Sequence, residues 1–240
     1  MEGEGKTKQV VFALAGLVTG ALAVITSQKL LKKVSKPKNI KITYFQFSGR
    51  AGPTRAACQL GRIKYENVFV TRETLLDLKP KLPFGQVPVF ETDKGDMISQ
   101  SNAFLRYVGK YTNLYPSDPY KALKVDEVLD GLEDIAVMLR PSLQESDAGK
   151  KLQQRKDLIA PKTGKLWIFM EKLQALAERN GGSFCAGDLS IADVSLGNTF
   201  HLIQEGFLDG ITSAFLDDFP FLKGVVEKLD KMDCWNMEYK

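Results

Sequence analysis

Apolar residues fall along this chain in three rhythms, and each predicts a different kind of structure. The stretch from Val10 to Thr26 carries no charge and no polar stripe. A helix buried in a soluble core would show such a stripe, so this run predicts a membrane span. At ~1.5 Å per residue it reaches about 25 Å, a little under a ~30 Å hydrocarbon core. From Lys41 the rhythm changes to short β-branched and aromatic runs. Strands are predicted over residues 41–45 and 66–70, and a hairpin over 87–91 and 96–99. A helix over 52–61 falls between the first two, opened by Pro53 and closed by Gly61. One short crossover implies that those two strands run parallel. A loop with a helical turn follows over 71–82, and a second helix runs from Gln100 to Lys110.

Beyond residue 120 the rhythm is helical throughout. Val128, Leu129, Leu132, Ile135, Ala136 and Leu139 recur at i, i+3, i+4, and Pro141 is expected to stop that helix. A second amphipathic stretch covers 164–179 and ends at Gly181-Gly182. A third starts at Ser190, where Ser190 and Asp193 form a capping pattern with Leu189 and Val194 placed as a staple. The last runs over 219–232. The predicted organisation is a polar tail (1–9), the apolar helix (10–26), a basic linker (27–38), an α/β domain (39–116) and an all-helical domain (117–240). Pro116 and Pro119 mark the joint.

Charge sharpens the first segment more than the rest. The formal net charge is +4, and Lys29, Lys32, Lys33, Lys36 and Lys38 meet no acid between residues 27 and 40. These lysines place the C-terminal side in the cytosol by the positive-inside tendency. An endoplasmic-reticulum, plastid-envelope or mitochondrial outer-membrane anchor fits equally. A cleaved signal peptide, with Ala21-Leu-Ala23 as the cleavage site, is the rival, although the preceding segment has no net positive charge. Gly16 and Gly20 are spaced as in a helix-pairing motif, and equally as ordinary small residues of a span. The globular remainder is nearly balanced in charge and has no basic face interleaved with aromatics, so no nucleic-acid partner is expected. Cys58, Cys185 and Cys234 are scattered, with no CxxC, which signals neither a zinc site nor a redox pair. A reducing compartment is the easier reading.

Chemistry concentrates between Lys41 and Arg55. Tyr44 ends a strand just ahead of a helix N-terminus, where backbone N–H groups and the helix dipole favour anions. A phenol and Arg50 beside such a turn suit a developing thiolate or oxyanion.

This stretch resembles the glutathione transferases, most closely the sigma-like branch with the glutathione-dependent prostaglandin D synthases and lens crystallins. Further matching blocks are Leu82-Pro-Phe-Gly-Gln-Val-Pro-Val-Phe90, Ile98 to Tyr107, Val125 to Asp134 and Gly187 to Asp193, in the family's order and spacing. The resemblance implies an α/β thioredoxin-like N-terminal domain followed by an all-α C-terminal domain, here preceded by the N-terminal transmembrane helix. It implies glutathione as cosubstrate, a small apolar electrophile and a homodimer. Tyr44 would donate a hydrogen bond to the glutathione sulfur and Arg50 would add positive potential. Lys79, Gly85, Gln86, Val87, Pro88, Gln100, Ser101 and Asp134 would complete the glutathione site, with Val87-Pro88 as a cis-proline turn and Asp134 reaching into the partner subunit. Phe47, Gly49, Leu139 and Arg140 would line the electrophile pocket.

Plainer readings stand beside these: an ion pair for Arg50, a helix cap for Ser101, a solvated face for Asp130, Glu133 and Asp134. Some relatives bind a divalent metal with such acids; Glu133 is an aspartate there, and no metal is expected. The family often has tryptophan where Leu75 stands and glutamate where Gly52 stands. The Gly187-Asp-Leu-Ser190 segment is one residue short. Neither Arg140 nor Pro141 supplies the aromatic platform of the prostaglandin synthases. His201, the single histidine, reads as a structural residue. A glutathione-dependent isomerase or peroxidase of lipid-derived substrates, and a non-catalytic crystallin-like binder, remain as alternatives.

Overall fold

The computed structural model describes residues 36–232. The apolar run 10–26, the tail before it, most of the basic linker and Cys234 lie outside the described residues. Among the described residues no helix is long and apolar enough to cross a membrane.

Strand β1 (Ile40–Tyr44) leads through a 3-10 turn (Gly49–Ala51) into helix α1 (Gly52–Leu60) and parallel strand β2 (Tyr65–Phe69). Helix α2 (Arg72–Leu78) precedes the hairpin of β3 (Val89–Glu91) and β4 (Met97–Ser99), and α3 (Ser101–Thr112) closes this half. The strand order is β2-β1-β3-β4, with β3 antiparallel to both β1 and β4. This is the thioredoxin-like arrangement. The helical turn expected within 71–82 extends to a helix over Arg72–Leu78, where Thr71 and Thr74 cap one another's backbone N–H groups.

The second half holds α4 (Pro119–Gln144), α5 (Ala148–Leu158), α6 (Lys165–Asn180), α7 (Ile191–Gln204) and α8 (Pro220–Asp230). Pro141 does not stop α4: the helix runs three residues past it. A proline costs the bond from its missing N–H and crowds the carbonyl four residues back, but so close to the end only one turn remains to be disturbed. Ser142 donates to the Leu139 carbonyl, and buried Arg155 donates to Ser142 at 3.2 Å, tying that last turn to α5. Helix α5 escaped the periodicity reading because it is mostly polar; Asp147 caps its start.

Helix α7 is the central element of this half. Its capping box forms as the sequence predicts. Asp193 is fully buried and accepts from Ser190 N–H (2.8 Å), Ser190 hydroxyl (2.9 Å) and Cys185 N–H (2.7 Å). Burial lifts this carboxyl above the usual range and the three donors pull it part of the way back. The missing residue before Ser190 therefore does not cost the helix its cap.

Candidate active site

Two adjoining cavities sit where the sheet half meets α4 and α7. One, of about 310 Å³, is lined by Arg50, Gln86, Val87, Pro88, Gln100, Ser101, Glu133 and Arg140. Five of the expected glutathione residues besides Arg50 come together here. The Val87–Pro88 bond is cis, and Pro88 hands the chain to β3. Gln100 has φ +75°, a backbone state that costs a non-glycine residue roughly 1–3 kcal/mol. It turns the chain from β4 directly into α3, with no side chain capping the helix. The first turn of α3 has no side-chain cap and starts at Ser101, which lines this cavity; uncapped N–H groups at a helix start suit an anion. Ser101 is the first residue of the helix rather than its cap.

The second cavity, of about 320 Å³, is walled mostly by carbon. Tyr44, Phe47 and Gly49 come from the β1–α1 connection; Leu129, Leu132, Ile135, Ala136 and Leu139 from α4; Ser195, Asn198, Thr199 and Leu202 from α7. Phe207, in the loop after α7, stacks on Phe47 with ring centres 5.4 Å apart. The two cavities share Arg50, Ser101 and Glu133 as their common wall.

Tyr44 is 6% exposed, and its hydroxyl oxygen accepts the Arg50 backbone N–H at 3.2 Å. That leaves the phenol's own proton to be donated. Burial lifts its pKa above the ordinary tyrosine value; the Arg50 N–H and the charges of Arg50 and Arg55 oppose this. The phenol thus stays protonated at neutral pH. Gly49 lies directly over it: a Cβ there would stand 2.5 Å from the Tyr44 oxygen and 2.6 Å from the Phe47 ring. Its φ of +41° is equally unsuited to a side chain.

Arg50 forms a two-pronged pair with Glu133 at 2.8 and 3.1 Å, and Asn102 donates to the same carboxylate at 3.3 Å. Its charge is delivered at the shared wall already balanced. Asp130 pairs with Arg106 at 3.0 Å. Two of the three acids on this face thus have cationic partners, which disfavours their use as metal ligands. Among the described residues no group could hold a metal ion.

Several expected residues lie elsewhere. Arg140, expected beside Leu139 at the electrophile, lines the polar cavity instead, because successive helix positions point about a hundred degrees apart. Lys79 and Asp134 are exposed and line neither cavity, and neither does Gly85, in the loop before Gln86. Leu75 lines neither. His201 bonds Asp230 at 2.9 Å, a tie between α7 and α8. Cavity residues without a sequence expectation are Asn198, Thr199 and Leu202, whose helix was legible but whose facing was not, and Phe207 in the loop after it. Arg55 was missed too. It is fully buried, donates to Asn67 and the Phe47 carbonyl at 2.9 and 2.8 Å, and stands 5.9 Å from the Tyr44 ring centre. The available signal was a lone cation among Gly52, Pro53, Thr54, Ala56, Ala57 and Cys58, all small or uncharged.

Residues 40–110 match the family described as the glutathione S-transferase N-terminal domain. Glutathione S-transferase 1 of Ascaris suum is 33% identical over 179 residues, 71% of this chain and 84% of that protein. Glutathione S-transferase S1 of Drosophila melanogaster is 30% identical over 190 residues, 79% and 73% of the two chains. Among solved structures, the prostaglandin synthase D of Nilaparvata lugens superposes with a TM-score of 0.72 at 26% identity, covering 82% of this chain and 94% of that one. The chain belongs to the glutathione S-transferases. It is an enzyme of that class, with glutathione as its cosubstrate.

Proposed function

We propose that glutathione lies along the polar cavity and that Tyr44 activates its thiol for attack on an apolar electrophile held in the carbon-walled cavity. A thiol has an ordinary pKa near ~8.5, and only the thiolate is an effective nucleophile. A donor that bonds the charged form lowers that value, each unit being worth ~1.4 kcal/mol. The thiolate then forms a bond to the electrophilic carbon while a leaving group departs with its electron pair, or a conjugated π bond takes up the charge. The γ-glutamyl carboxylate would meet Ser101 and the N-terminus of α3. The cysteinyl backbone would pair with Val87 as an added strand does. Asp134 would serve the partner subunit in a homodimer, checked by sedimentation of the purified protein.

The observation that carries this reading is that the Tyr44 oxygen, in the apolar cavity, accepts the N–H of Arg50, a residue of the wall shared with the polar cavity, which leaves the phenol proton to be donated. With a chlorodinitrobenzene-type substrate, Tyr44→Phe is expected to lower kcat/KM about tenfold or more and to move the acid limb of the pH–rate profile up by about one unit. Equal rates and equal profiles remove the role.

A second reading, glutathione-dependent isomerisation of a lipid-derived substrate, is supported by the likeness to a prostaglandin synthase; a product screen separates the two. The uncharged run 10–26 with its basic flank supports attachment to a membrane with the globular part facing the cytosol. Fractionating cells that express the full chain and a form lacking residues 1–38 tests it: full chain in the soluble fraction ends the idea.

A further inference from the structure

Asn198 is the one side chain of α7 whose amide bonds the turn above Tyr44 from both of its ends. It is 5% exposed. Its oxygen accepts from the Ser48 hydroxyl, and its Nδ2 donates to the Gly49 carbonyl at 3.0 Å. The Gly49 carbonyl and the Arg50 N–H belong to one peptide group, and that N–H donates to the Tyr44 oxygen. A peptide unit is planar, so pinning its carbonyl fixes the direction of its N–H. Donation to the carbonyl also polarises the unit, which strengthens the bond its N–H makes beyond.

From this relay we infer that Asn198 is a positioning residue for the transferase reaction, holding the Gly49–Arg50 peptide so that its N–H fixes the Tyr44 hydroxyl toward the thiol. The inference rests on the proposed role of Tyr44. It also accounts for Gly52. A Cβ at position 52 would fall on the Asn198 amide oxygen and 2.6 Å from the Ser48 hydroxyl. The backbone at Gly52 is ordinary right-handed helix, so conformational freedom is not what that glycine provides. It provides room for the Asn198 amide.

Asn198 also lines the apolar cavity, so an assay with electrophile alone would confuse positioning with substrate contact. The decisive measurement is the ionisation of bound glutathione with no electrophile present, followed by thiolate ultraviolet absorbance against pH on the full chain. The wild type is compared with Asn198→Ala, Gly52→Ala, the double variant and Tyr44→Phe. Asn198→Ala is expected to raise the apparent thiol pKa by about half a unit to one unit, a three- to tenfold loss of thiolate below it. Affinity for the protonated thiol form, measured well below the bound thiol's pKa, should change less than about twofold, because Asn198 is not part of the polar cavity. Gly52→Ala should produce the same shift by displacing the amide, and the double variant should be no worse than Asn198→Ala alone. An unshifted titration in Asn198→Ala, with Tyr44→Phe shifted, overturns the positioning role and leaves Tyr44 standing. Additive losses in the double variant overturn it as well. No shift in Tyr44→Phe overturns both. Should Asn198→Ala not fold, Gly52→Ala gives the same reading from the opposite side of the contact.

Discussion

The two cavities are nearly equal in size and were built by different means. The polar one is made of short local sequences: a cis-proline turn, a strained residue between β4 and α3, and the first N–H groups of that helix. Five of its lining residues, Gln86, Val87, Pro88, Gln100 and Ser101, come from two short stretches, while Arg50, Glu133 and Arg140 come from the β1–α1 connection and α4. The apolar one is made of side chains from α4, α7, the β1–α1 connection and the loop at Phe207. Those residues meet only because helices separated by tens of residues pack at a particular rotation. The polar cavity is thus set more by local sequence, and the apolar one more by how the helices pack.

The comparison breaks most severely at Asp193. Asp193→Ala removes the acceptor of three buried donors at the start of α7, at a cost of about 3 kcal/mol. The apolar cavity should be lost before the polar one, so thermal unfolding monitored beside glutathione binding should show electrophile turnover fail first. Loss of both together would mean that the two cavities are not separately supported.

Ser101→Ala should raise KM for glutathione about tenfold, the worth of one hydrogen bond to a charged group, and leave KM for the electrophile within about twofold. Phe207→Ala should do the converse. Removing its stack on Phe47 is worth about 1 kcal/mol, so KM for the electrophile should rise about fivefold while that for glutathione holds. Steady-state kinetics with each substrate varied in turn checks both. Any crossed effect of similar size would mean the shared wall of Arg50, Ser101 and Glu133 transmits it.

The smallest expected effect is at alkaline pH. Burial raises the folded Tyr44 pKa above its unfolded value near ~10, so the folded state holds that proton more tightly. Stability from this group is complete below about pH 10 and is lost as pH rises through the folded value. Denaturant unfolding at rising pH should bring Tyr44→Phe and the wild type to different slopes only above about pH 10. Divergence at pH 7–9 would contradict the burial.

The fold was legible where one rhythm dominated. The β1–α1–β2 unit and the hairpin followed from alternating β-branched residues and their breakers, and α6 to within a residue from a clean helical stripe. Misreadings came where polar residues cover a helix, as in α5, or where a local rule meets a tertiary tie, as at Pro141. In the site, Gln86, Val87, Pro88, Gln100 and Ser101 line one cavity because they sit in two short local turns, and Tyr44 stands where β1 ends. Arg140 lines the polar cavity rather than the apolar one, and no local pattern marks Asn198 or Phe207 as cavity residues.

Residue order alone determined the strand and helix types, the capping of α7 and the turn that carries Tyr44, since each depends on contacts within a few positions. The tertiary structure alone decided that the Asn198 amide would pin the Gly49 carbonyl, 149 positions away. It also decided that Glu133 would balance Arg50, 83 positions away. A hydrogen bond across such separations depends on the rotation and depth at which two helices seat against a sheet. That is fixed by the sum of many packed side chains rather than by any one of them.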